Sequence, residues 1–176
     1  MKRTLCLVLS LVMILGILAS MPVTVSAATS GKTYDCSWSL DGTVLTISGN
    51  GDMDNYGDWV SLDDYMAWTI NSPWGTNITK VVIDEGVTNI GSSAFENCAE
   101  LTSIIIPNNI KSIGERAFYG CTNLQTVDLK GIKCVGNRAF KDCTYLTTVL
   151  FGNESKPTKS GILGAEAFYN CQELRT

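Results

Sequence analysis

"IGSSAFENCAELTSI", residues 90–104, occurs in this chain four times in slightly altered form. "IGERAFYGCTNLQTV" (113–127), "VGNRAFKDCTYLTTV" (135–149) and "LGAEAFYNCQELRT" (163–176) share its frame, apolar-Gly-x-x-Ala-Phe-x-x-Cys-x-x-Leu-x-x-apolar. Phe95, Phe118, Phe140 and Phe168 mark the copies at steps of 23, 22 and 28 residues. The long last step carries "GNESKPTK", a polar insertion containing Pro157 that reads as a loop.

A period in the low twenties with a leucine frame is the signature of a leucine-rich-repeat solenoid, whose units cannot bury an apolar face alone and stack on their neighbours. The expected fold class is an α/β repeat solenoid, a superhelix of short parallel strands and single helical turns. Leu101-x-x-Ile104-x-Ile106, Leu124-x-x-Val127-x-Leu129 and Leu146-x-x-Val149-x-Phe151 alternate as strands do, and Ile78-x-x-Val81-x-Ile83 supplies an earlier rung. After each strand come a turn, a second short apolar element ending at Gly91, Gly114, Gly136 or Gly164, and an Ala-Phe pair read as one helical turn. The glycines are expected to supply a positive φ or a close backbone approach. The repeat core is Phe95, Cys98 and Leu101; Phe118, Cys121 and Leu124; Phe140, Cys143 and Leu146; and Phe168, Cys171 and Leu174. Truncating one such Phe to Ala should cost about 3–5 kcal/mol.

Upstream, "SWSLDGTVLTIS" (37–48) is two alternating runs around Asp41-Gly42, a two-residue hairpin signal. Trp38, Leu40, Leu45 and Ile47 share one face there and would cover the first rung. A solenoid needs such a cap, because an end rung otherwise exposes core and unpaired strand edge. The division expected is 1–27 signal peptide, 28–77 capping region and 78–176 repeats, about four with the last one truncated.

The signal peptide is read from Lys2 and Arg3, the apolar run Leu5–Ala19 and "VTVSAA" after it, with cleavage after Ala27. The run is shorter than the roughly 20 residues of a bilayer span, so no membrane insertion is expected after cleavage. Removing the leader takes two of 13 basic residues and none of 17 acids, leaving a net charge of 11 − 17 = −6. That balance, with no basic run, argues against nucleic acid and anionic membranes as partners. The absence of histidine removes Ser-His-Asp and Cys-His catalysis and His-ligated zinc.

At "IGxxAFxxCxxL", repeated four times, and at "IIIP" ending on Pro107, the chain resembles the BspA-like, or Treponema pallidum-type, leucine-rich repeats of bacterial surface proteins. "CSWSLDGTVLTISGNGDM", "SPWG" and "ITKVVIDEGVTNIGSSAF" are similar to the segments that open many such proteins. The resemblance implies an exported or cell-surface protein that adheres to a protein, such as a host extracellular-matrix protein, and uses no cofactor.

Several stretches invite a chemical reading. Asp52, Asp54, Gly57 and Asp63 fall at positions 1, 3, 6 and 12 of a calcium loop, but Tyr56 takes the fifth position and the last acid is Asp, so a capping loop is the better reading. Asp63 and Asp64, or Asp52 and Asp54, are the remaining material for a carboxylate hydrolase, the weak catalytic alternative. Cys98, Cys121, Cys143 and Cys171 hold one frame position, and four copies cannot each own a base and pocket; no C-x-x-C metal pair exists. Stacked buried thiols are expected rather than disulfides between rungs, with Cys36 and Cys134 a less certain pair. Asn77-Ile-Thr and Asn153-Glu-Ser match glycosylation acceptors, and neither is expected to be modified in a bacterial protein.

Function then falls to the surface the rungs present together. The residues between the inward ones face the concave side: Lys80, Val82 and Asp84; Ser103, Ile105 and Pro107; Thr126, Asp128 and Lys130; Thr148, Leu150 and Gly152. Val82, Ile105 and Leu150 form an apolar stripe interrupted by Asp128. Such a stripe marks a binding face or serves the sheet itself through stacked β-branched residues. The expectation is a non-enzymatic, secreted or surface-held repeat protein that binds a protein or glycan, the alternative being a passive spacer in a longer chain.

Overall fold

The computed structural model describes residues 29–57, 59–62, 65–68, 72–152 and 162–175. The leader, Asp63, Asp64, Asn153 and all but the first residue of the polar insertion lie outside them.

The chain opens with three antiparallel strands, β1 (Ser30–Thr33), β2 (Cys36–Asp41) and β3 (Val44–Gly49). Asp41 pairs with Val44, so the β2–β3 turn is Gly42-Thr43, one residue later than Asp41-Gly42. Gly42 takes φ 59° at its first central position, where a two-residue hairpin loop favours glycine. Trp38 lies opposite Ile47 and Leu40 opposite Leu45; Trp38, Leu45 and Ile47 are buried and Leu40 packs against them. The hairpin does not lie across the first rung as a lid. Strand β3 runs parallel to β6 (Lys80–Ile83), placing Leu45 beside Val81 and Ile47 beside Ile83. It is a rung itself, and it closes the sheet edge by extending the ladder.

β4 (Trp59–Leu62) and β5 (Tyr65–Trp68) form a separate antiparallel pair. The repeats follow. β6, β8 (Ser103–Ile105), β10 (Thr126–Asp128) and β12 (Thr148–Leu150) line one side, and the two-residue strands β7 (Asn89–Ile90), β9 (Ser112–Ile113), β11 (Cys134–Val135) and β13 (Ile162–Leu163) line the other. The second set forms one unbroken parallel ladder through Ile90, Ile113, Val135 and Leu163. The first set joins β3-β6-β8 and, separately, β10-β12, so no ladder connects β8 to β10.

Between the two sides the rings of Phe95, Phe118, Phe140 and Phe168 stack, with centroids 5.1, 5.0 and 5.2 Å apart, close to the roughly 4.8 Å strand spacing. Phe151, expected to point inward, is 58% exposed and meets Phe168 edge-on.

The expected helical turn at Ala-Phe is absent from the described residues. Ser93, Arg116, Arg138 and Glu166, and Asn97, Gly120, Asp142 and Asn170, all have left-handed φ between 50 and 70°. Left-handed residues at these positions turn alternate N–H groups along the solenoid axis instead of back along the chain. Thus Ser93, Phe95 and Asn97 donate to the carbonyls of Glu115, Ala117 and Tyr119 in the next repeat, at 2.7–2.9 Å. Arg116, Phe118 and Gly120 then donate to Asn137, Ala139 and Lys141, and Arg138, Phe140 and Asp142 to Ala165, Ala167 and Tyr169. Each repeat therefore carries a third ladder, made of linked turns, that satisfies backbone groups a lone helical turn would leave open.

The frame glycines act through close approach and not through positive φ. A Cβ on Gly114 would stand 2.4 Å from Ser92 N, and one on Gly136 2.5 Å from Glu115 N.

Candidate binding face

Strands β6, β8, β10 and β12, expected to form the concave side, present their intervening residues in register. Lys80 pairs with Ser103 and Val82 with Ile105; Thr126 pairs with Thr148 and Asp128 with Leu150. Ile105 is 51% exposed and Leu150 39%, with Val82 half-buried between neighbours. Asp84, Ser103, Thr126, Asp128, Lys130, Thr148 and Gly152 are exposed, while Lys80 and Pro107 are half-buried. Eight of the twelve expected positions lie on these strands, in two groups either side of the break between β8 and β10, and Asp84, Pro107, Lys130 and Gly152 fall just beyond the strand ends.

Sequence reading missed the part of this face contributed by β3. Val44 pairs with Lys80 and Thr46 with Val82, so both columns begin one strand earlier. The signal was present: "TVLTI" and "TKVVI" carry the same inward and outward alternation, masked by treating the first as a hairpin arm only. Thr43 and Thr79 share a hydroxyl hydrogen bond of 2.8 Å at the start of these two strands, which fixes their register.

Asp128 is not a free carboxylate. The Lys130 backbone N–H donates to its Oδ1 at 3.0 Å and the Lys130 ammonium lies 3.2 Å from Oδ2. The backbone hydrogen bond from Lys130, followed by its side chain, holds the Asp128 carboxyl below the usual range. The interruption of the apolar stripe is therefore a local ion pair on an exposed surface.

The calcium-loop residues that are described, 52–57, are engaged within the fold, and Asp63 lies outside the described residues. Tyr56 is buried and its hydroxyl donates to Thr33 Oγ1 at 2.5 Å. Thr33 Oγ1 also accepts the Asp54 N–H at 3.0 Å, and Asp52 accepts from the Thr88 hydroxyl. These contacts pin residues 52–56 over the end of the core, as a capping segment requires.

All six described cysteines are free. Cys121, Cys143 and Cys171 donate their thiols to the carbonyls of Phe95, Phe118 and Phe140 one repeat back, at 3.1–3.2 Å. Burial pushes Cys98 up to about 12 and Cys171 up to about 11, and raises Cys121 and Cys143 as well. A nucleophilic cysteine needs its thiolate stabilised, and here every repeat thiol is held neutral. The suggested pair of Cys36 and Cys134 does not form. Cys36 is buried at the start of β2 with its thiol on Asp52 O, whereas Cys134 sits on β11 with β7 and β9 before it in the ladder. Arg116, at a variable frame position, is ion-paired to Glu96 and lies 4.7 Å over the Tyr119 ring, so it is part of the wall between repeats.

Comparisons with known proteins agree with this architecture. A leucine-rich repeat protein from Eubacterium ventriosum is similar at 26% identity over 81% of this chain, with TM-score 0.56; the alignment spans 36% of that longer chain. The leucine-rich repeat protein of T. pallidum shares the fold at 22% identity over 82% of this chain and 68% of its own, with TM-score 0.52. No curated protein matches the chain. Six copies of the BspA type leucine rich repeat region match residues 74–176, more than half of the sequence, and the protein belongs to that family.

Proposed function

We propose that this protein is an exported, non-catalytic binding module that holds a protein or glycan partner, such as a host extracellular-matrix protein, on its concave strand face. The observation that carries the reading is Ile105, an apolar side chain 51% exposed at the end of strand β8, in register with Val82. An apolar side chain left in water on an ordered ladder contributes little to the fold and is available to a partner. Leu150 continues the apolar column beyond Asp128, and Val44 and Thr46 widen it toward β2. The repeat thiols are neutral and core-bound and the chain has no histidine, which favours binding over catalysis.

The test is a solid-phase binding panel of matrix proteins and glycans with the protein and with the double variant Ile105→Lys, Leu150→Lys. A face-centred site predicts a loss of about 2 kcal/mol or more, roughly 30-fold, with the thermal midpoint preserved. Unchanged affinity for a verified ligand moves the site off this face. Binding to nothing in the panel supports the spacer role, for which stacked β-branched outward residues serve only the sheet.

A further inference from the structure

The break between β8 and β10 has a cause in the chain. Nine residues separate Val81 from Ile90 and Ile104 from Ile113, the paired positions of the concave and convex ladders. Only eight separate Val127 from Val135, because this corner is one residue shorter. Gly131, at φ 85°, makes the shorter corner, and a Cβ there would stand 3.0 Å from Asn108 O. One repeat back, the longer corner tucks Asn109 inward; its Nδ2 donates to Val87 O at 2.7 Å, while its buried Oδ1 has no partner.

The eight-residue corner matches the fourteen-residue one after it on both ladders, but the nine-residue one before it on only one. The convex side is matched, with Ile113 beside Val135, and the Phe118–Phe140 stack is intact at 5.0 Å. The concave side yields. In the other repeat steps, the residue entering the strand donates its N–H to the previous repeat: Thr79 to Thr43, Thr102 to Thr79, Thr147 to Gln125 and Arg175 to Thr147, at 2.9–3.4 Å. Gln125, at the equivalent position, makes no such bond among the described residues.

We propose that this register step is a hinge. The β1–β8 body and the β10–β13 body open and close along the concave seam, pivoting on the continuous convex ladder and the Phe stack. Because the seam lies between Ile105 and Asp128, its motion changes the separation of Ile105 from Leu150. The hinge itself does not depend on that face being a binding site.

Residue-resolved NMR on the whole chain tests it. The Gln125 amide should exchange at least about tenfold faster than those of Thr102 and Thr147. Relaxation dispersion on the microsecond–millisecond scale should appear in β8 and β10 and be absent from β9 and β11. Protection of Gln125 equal to Thr102 overturns the proposal, and so does fast Gln125 exchange with flat dispersion, which would mean a static gap. Inserting Asn between Lys130 and Gly131 restores nine-residue spacing and should slow Gln125 at least about tenfold and quench the dispersion; a folded insertion variant that changes neither refutes the cause given. If that variant does not fold, the two measurements on the parent chain decide.

Discussion

Removing the indole N–H of Trp74 should destabilise the protein even if the ring stays in place. The turn ladder is directional: each repeat donates N–H groups to the repeat after it, so the first repeat is left with carbonyls facing the cap. Two of these are satisfied by chain that is not a repeat. Tyr56 N donates to Ser92 O at 2.8 Å, and Trp74 Nε1 donates to Ala94 O at 3.1 Å. The Trp74 ring extends the aromatic column, 5.8 Å from Phe95, and is wedged edge-on against Trp38 and Tyr56 at 6.0 and 5.2 Å. One side chain thus replaces two things a preceding repeat would supply, the stacked Phe and its backbone donor.

The magnitude follows from burial. Ala94 is fully buried, so its carbonyl cannot turn to water, and an orphaned buried acceptor costs about 1–3 kcal/mol. Replacing Trp74 by 3-benzothienylalanine keeps the bicyclic shape and deletes only the donor, so that cost should appear alone. At about 2–4 °C per kcal/mol for a chain of this size, the thermal midpoint should fall by about 2–12 °C. Trp74→Phe should lose more, because a smaller ring also leaves space beside Trp38 and Tyr56, and Trp74→Ala should add a cavity worth about 3–5 kcal/mol. Urea unfolding followed by far-ultraviolet circular dichroism measures each step. If the benzothienyl form matches the parent within about 0.5 kcal/mol, comparable to the precision of such curves, the indole donor is not what satisfies the first repeat.

Three further outcomes follow from the same core. Phe140→Ala should cost about 3–5 kcal/mol, and Phe168→Ala clearly less, since Phe140 is fully buried between two rings and Phe168 only partly so; equal losses in urea unfolding would contradict the stack as the main filler. The raised thiols make the fold sensitive to alkali. Folded Cys98 ionises near 12 against 9.0 for a free thiol, so its contribution is complete below pH 9 and is lost as pH rises from 9 toward 12. Stability should fall across that window, Cys98→Ala should make the fall shallower, and an unchanged slope would show that the buried thiols are not what titrates. Thiol titration after denaturation without reductant should count four or more groups, whereas none would mean disulfides.

Legibility followed periodicity. The strand rungs, the Phe column, the in-line cysteines and the hairpin's inward face were readable because each repeats a spacing that only one stacked arrangement satisfies. The turn ribbon was not readable, because its third ladder depends on left-handed backbone at Arg116, Arg138 and Glu166, residue types that give no local sign of it. These positions vary in sequence and share only a backbone demand imposed by the next repeat. Trp74, in "SPWG", has a role that is not legible for a related reason: it stands outside the frame, and only the direction of the turn ladder shows that an unmatched carbonyl needs a donor there.

The 22-residue step was visible as a number from the start, whereas its consequence was not. A missing residue can be absorbed at any corner of a repeat, and the one that gives way is set by competing packing. Both sides bury inward residues, Ile113 and Val135 on the convex ladder and Leu124 and Val127 on the concave strands, but only the convex one is backed by stacked Phe118 and Phe140, and the concave strands also carry exposed Ile105 and Asp128. Opening the convex side would separate buried apolar surface, at about 25 cal/mol for each Å² exposed. Loosening only the ladder on the concave side, with Leu124 and Val127 left buried, gives up backbone bonds that water can replace at a net cost of about 0.5–1.5 kcal/mol each. The strand side is the weaker, so the mismatch settles there, in the middle of the candidate binding face.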